Sequence, residues 1–104
     1  GGENVYSTEV ENAIASHPGV LQVAVIGIPS EQWGEAVHAI VVPKEGAQMT
    51  ADDIIGHARD QIAGYKLPKS VEFRTEPLPL SGAMKVLKKD LRAPYWEGRD
   101  RKVN

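Results

Sequence analysis

The sequence contains no cysteine, and its three histidines (His17, His38 and His57) share no ligand-like spacing. The first absence excludes disulfides, thiol nucleophiles and thiolate metal sites, and the second argues against a histidine-held metal. No stretch reaches the ~18 consecutive apolar residues that a membrane span requires, and no segment has the charged-then-apolar form of a signal peptide. Aromatic residues are scarce at 6%. They are not interleaved with basic residues and the overall balance is not basic, which argues against nucleic acid as a partner. Repeats and low-complexity tracts are missing as well.

What remains is ordinary for one soluble domain, expected in the cytoplasm: 104 residues, 41% hydrophobic and 25% charged. The net charge of −2 conceals an asymmetry. Residues 1–60 carry nine acidic and two basic side chains, whereas residues 61–104 carry ten basic and five acidic ones. A basic second half suits a surface aimed at phosphate or carboxylate, and an uneven spread of solvated charge would look the same.

Periodicity divides the chain into short elements. Ser7 or Thr8 caps a first helix, with Thr8-x-x-Glu11 matching a capping box and Val10, Ala13 and Ile14 on one face. Glu9 and Glu11 then favour the positive end of the helix dipole, and Pro18-Gly19 ends the helix near Ser16 or His17. Val20–Ile28 is almost continuously apolar and β-branched, which predicts a buried strand ended by Pro29. Ala36–Val42 predicts a second strand, paired with the first as an antiparallel hairpin. Between them Trp33 sits in a polar loop, either folded down on the domain or offered as a stacking surface for a purine.

Thr50-x-x-Asp53 caps a second helix with Ile54, Ile55, Ala58 and Ile62 inward, His57 on its flank and Gly64 at its end. Val71 and Phe73 alternate inward on a third strand. A proline-bounded loop, Pro77-Leu78-Pro79, leads into Ser81-Gly82 and then Lys85. A short amphipathic helix follows, with Leu87 and Leu91 on one side and Lys88, Lys89 and Arg92 outside, ending near Pro94. The expected fold is therefore a small compact α/β (α+β) domain. It has about three strands, mixed or antiparallel, and two to three helices. Residues 1–94 form its body, and 95–104 a loose tail. On spacing alone Lys85 reads either as a solvated charge or as a cation presented to another molecule's anion.

Four stretches, in order along nearly the whole chain, resemble motifs of the adenylate-forming acyl-CoA synthetases. They are Gly1-Gly2-Glu3-Asn4-Val5-Tyr6 through Glu11, Ile26-Gly27-Ile28-Pro29 through Trp33-Gly34-Glu35, Tyr65-Lys66-Leu67-Pro68-Lys69, and Pro79-x-Ser81-Gly82-x-x-Lys85-Val86-Leu87-Lys88-Lys89-x-Leu91-Arg92. Two positions depart from the family pattern: Met84 stands before the lysine where glycine is usual, and Ser7 replaces a common proline. The chain also opens inside a motif, so we expect it to be a piece of a longer protein.

The resemblance implies the mobile C-terminal domain of a fatty-acid or aryl-acid ligase. Such an enzyme joins a carboxylic acid to ATP as an acyl-adenylate, then passes the acyl group to coenzyme A. Lys85 is implied as the adenylation lysine. Gly1, Gly2 and Glu3 would help form the thiol channel, Trp33 with Gly34 would meet the adenine of coenzyme A, and Tyr65 and Lys66 its nucleotide and phosphates. The N-terminal domain of the same parent chain is the implied partner and the expected holder of Mg2+. By itself the 104-residue chain should be catalytically silent. Delivery to a carrier protein, and a non-catalytic binding module, are the alternatives.

Overall fold

The structure, a computed structural model, describes residues 7–32, 34–83 and 85–103, with backbone alone over 98–103. Three helices flank a three-stranded sheet in the order α1 (Ser7–Ala15), β1 (Val20–Ser30), β2 (Gly34–Pro43), α2 (Ala51–Arg59), β3 (Ser70–Phe73) and α3 (Lys88–Val103). The expected fold class holds, and the pairing is mixed. Strands β1 and β2 form a long antiparallel hairpin, and β3 adds parallel to β2 after the α2 crossover.

The apolar run of β1 is continuous because the sheet is covered on both faces. Strand alternation sends Val25, Ala39 and Val41 toward α1 and α2, where they meet Val10, Ile14, Ile54 and Ala58. The opposite face sends Ala24, Ile26, Ile40 and Val42 toward Leu78 and Leu91. Two thin cores thus share one sheet, and α3 closes the second.

Local signals work where they are self-contained. Thr50 Oγ1 accepts the Asp53 amide at 3.1 Å and Asp53 returns the contact to the Thr50 amide at 2.9 Å, completing the capping box. Elsewhere the tertiary structure redirects them. The helix α2 ends at Arg59 rather than at Gly64, which instead opens a single 3₁₀ turn, Gly64–Lys66. Thr8 lies inside α1, and Glu11 bonds the neighbouring strand instead of capping its own helix. Phe73, expected inward, is 37% exposed at the end of an edge strand.

The largest difference is in α3, which was expected to stop near Pro94 and runs on to Val103. Proline removes one backbone bond from a helix interior. Here the next two residues are tied to the sheet. Tyr95 donates its hydroxyl to Glu72, and Trp96 Nε1 donates to the Gly27 carbonyl at 2.9 Å. A Cβ on Gly27 would lie 2.3 Å from the Glu35 carboxylate, so the glycine leaves room for the side chain that Arg92 of α3 reaches at 3.5 Å.

Candidate functional site

Lys85 is carried by a miniature hairpin. Leu80 and Val86 form an isolated antiparallel bridge, and the Ser81 amide donates to the Lys85 carbonyl at 2.8 Å. Ser81 Oγ accepts the amides of Ala83 at 3.2 Å and Lys85 at 3.3 Å, so the expected turn is stapled by its own serine. The Leu87 amide donates to Pro79 O at 2.9 Å, closing the base where α3 begins. Val86 packs on the second core beside Leu91. Lys85 itself is exposed, and among the described residues its ammonium has no carboxylate partner. The result is an exposed charged stem on a hydrogen-bonded backbone.

The neighbouring cations are tethered. Lys88 pairs with Glu11 at 2.7 Å. Arg92 reaches Glu35 at 3.5 Å and lies 5.8 Å from the Trp96 ring centre. Of the three cations expected outside the helix, Lys89 is exposed, whereas Lys88 and Arg92 are half-buried. Spacing could not have revealed this, because the partner of Lys88 lies 77 residues away in sequence.

On another flank of α1, Lys66 pairs with Glu9 at 2.8 Å and sits 5.7 Å from the centre of the Tyr65 ring, which is 69% exposed. Glu9 and Glu11 are two positions apart, and such residues leave a helix in different directions. Lys66 and Lys88, the latter three positions beyond Lys85, thus pair with different carboxylates of α1. Gly34, with φ of +75°, starts β2 at the hairpin tip, and no atom lies within 4 Å of where its Cβ would stand. Gly1, Gly2, Glu3 and Trp33 lie outside the described residues.

A polar cluster that periodicity does not reveal supports α3. His38 is 5% exposed. Its Nδ1 is 2.6 Å from Ser70 Oγ and its Nε2 is 3.2 Å from Glu72. Arg74 Nε donates to the other Glu72 oxygen at 2.6 Å. Serine, histidine and glutamate here have the composition of a hydrolytic triad, but the serine meets Nδ1 and Tyr95 covers the Nε2 side at 3.3 Å. The group is therefore a strut between β2, β3 and α3.

Burial pushes the Glu72 carboxyl up, but the Arg74 guanidinium and then the His38 ring outweigh it and hold the group below its ordinary 4.5. A depressed carboxylate contributes stability that is present above the unfolded pKa and lost as pH falls through the folded one. Denaturant midpoints for the parent and Glu72→Gln should therefore differ at about pH 6 and converge as pH drops below about 4. A gap of constant size across that window would show that the carboxylate's charge is not what holds α3.

Among the described residues no group of three or more His, Asp or Glu side chains is placed to hold a metal, and no helix is long and apolar enough to cross a membrane.

Comparison with known proteins places this geometry. Residues 9–85 match the family model described as the AMP-binding enzyme C-terminal domain. The chain is 49% identical to a feruloyl-CoA synthase from an Amycolatopsis species, over 91% of its own length and 19% of that protein's. It is 43% identical to the fatty acid–[acyl-carrier-protein] ligase ScoC of Streptomyces coeruleorubidus, over 99% and 20%. The crystal structure of ATP-bound MatB from Rhodopseudomonas palustris superimposes with a TM-score of 0.80 at 40% identity, over 91% of this chain and 19% of that one. The chain thus spans about a fifth of the length of the relatives it matches.

Proposed function

This chain belongs to the AMP-binding enzyme C-terminal domain family, and we propose that it is the mobile small domain of an AMP-forming acyl-CoA synthetase. The observation that carries the reading is Lys85: an exposed cation on a hairpin whose backbone is fixed at Leu80–Val86 and by Ser81. Adenylation brings a carboxylate to the α-phosphate of ATP, so like charges meet and more negative charge builds on the phosphoryl oxygens. A compact ammonium on a long stem can reach from one domain into another and neutralise that crowding. It acts best when its backbone is already in place before the reaction begins.

The second half-reaction uses different residues. Gly1, Gly2 and Glu3 would line the passage for the thiol of coenzyme A. Trp33 and Gly34 would meet its adenine, and Tyr65 and Lys66 its nucleotide and phosphates. Lys66 and the Lys88 that follows Lys85 lean on different carboxylates of α1, Glu9 and Glu11, which supports this division, since one domain rotation can present each set in turn. The large N-terminal domain of the parent chain would supply the acyl pocket and most of the ATP site, in a cytoplasmic setting. Magnesium would be held by that domain as well.

The similarity to a carrier-protein ligase keeps a second acceptor in view. In the full-length protein, thioester formation should saturate with coenzyme A and proceed without a carrier protein. Transfer to a carrier with no response to coenzyme A would overturn the choice of acceptor. Acyl-adenylate synthesis by the isolated 104 residues would overturn the half-site reading itself.

A further inference from the structure

Lys88 is the first residue of α3, three positions after Lys85. A cation at a helix N-terminus opposes the helix dipole, so its place there calls for compensation. The ammonium reaches Glu11 Oε2 at 2.7 Å and donates to Ser7 Oγ at 3.4 Å. The same Glu11 oxygen accepts the Val25 amide from β1 at 2.8 Å. The carboxylate is thus fixed by the sheet, and Lys88 is held to it with both side chains less than one-fifth exposed (18% and 19%). Ser7 is buried, and it directly follows the segment carrying Gly1, Gly2 and Glu3.

From this geometry we infer that Lys88 is a positioning residue. Through Glu11 and Ser7 it locks the Lys85 hairpin to α1, whose Glu9 holds Lys66, so the residues assigned above to successive half-reactions on these two sides of α1 move as one body. The inference rests on the functional reading above. Without this tie the α3 N-terminus would keep the packing of Val86 and Leu91 and the Leu87–Pro79 hydrogen bond. Those contacts prevent detachment, but leave a small rotation open.

The test is made in the full-length protein, below the melting transition of every variant. A misplacement near 1 Å can cost about a hundredfold in rate, so Lys88→Met should lower kcat by about ten- to a hundredfold in both ATP–pyrophosphate exchange and thioester formation from supplied acyl-adenylate. KM for ATP should stay within about twofold, because the Lys88 ammonium is engaged by Glu11 and Ser7. Glu11→Gln should show the same pattern, and the double variant should be no worse than the poorer single one, as expected of a contacting pair. Lys88→Arg, which keeps the charge, should recover most of the loss. Full activity in Lys88→Met, or additive losses in the double variant, would overturn the inference while a defective Lys85→Ala control leaves the functional reading standing. If Lys85→Ala is itself fully active in exchange, the functional reading falls and this inference with it.

Discussion

Replacing Lys85 by alanine in the full-length protein is expected to cut carboxylate-dependent ATP–pyrophosphate exchange by about 10²–10³-fold, the usual cost of losing one preorganised stabiliser of developing charge. Thioester formation from supplied acyl-adenylate should be nearly unchanged. Stability should be unchanged as well. The hairpin is held by the Leu80–Val86 bridge, by Ser81 Oγ and by backbone groups, none of which belongs to the Lys85 side chain. Truncation therefore removes a charge and little else. Lys85→Arg should rescue poorly, since a planar guanidinium does not reproduce a compact point charge. Equal losses in both half-reactions would assign Lys85 to the architecture instead of the chemistry.

Leu91→Ala should give the opposite profile. Leu91 is 2% exposed and closes the core that α3 forms with Ala24, Ile26, Ile40 and Val42. Deleting a buried leucine typically costs about 2–5 kcal/mol, more where the site cannot collapse. A β-sheet cannot move inward as a loop can, so the upper part of that range is expected. Against the total stability of a small domain, about 5–15 kcal/mol, this is a large share. Denaturant unfolding should shift accordingly, and exchange activity should decline in step with the folded fraction. A Leu91→Ala protein of parental stability would mean that α3 is held by its polar ties, those of Lys88, Tyr95 and Trp96 among them, and not by this core.

The two variants separate what a single assay would merge. On the proposed function, Lys85 would contribute to the reaction and little to the fold, whereas Leu91 would contribute to the fold and reach the reaction only through it. Lys88 lies between them in sequence and in role. Its ammonium joins α3 to Glu11 of α1, which is itself bonded to the Val25 amide of β1.

Legibility followed the range of the interaction. The capping box at Thr50 and Asp53 involves residues three apart, and it stands as expected. The β1–β2 hairpin could be read because a strand buried on both faces must be apolar throughout, and the connection is too short for any pairing but antiparallel. The turn at Ser81 and the exposure of Lys85 were likewise local. The continuation of α3 through Pro94 was not, since it depends on Glu72 and Gly27, remote residues that receive Tyr95 and Trp96. Glu11 looked like a helix-capping acid because its nearest neighbours allowed it; the Val25 amide and Lys88 had the stronger claim once the chain was folded.

The order of apolar and polar residues alone determined the element sequence, the burial of the first strand and the presence of a cation on a glycine- and serine-built turn. Hydrophobic period and turn chemistry are properties of short windows, so a single chain displays them. Tertiary structure decided which of the clustered cations was left exposed and which were paired, because that depends on carboxylates brought close from distant elements. Lys85 and Lys88 have the same side chain and lie within one turn of each other. Only the fold placed Glu11 beside one and left the other exposed.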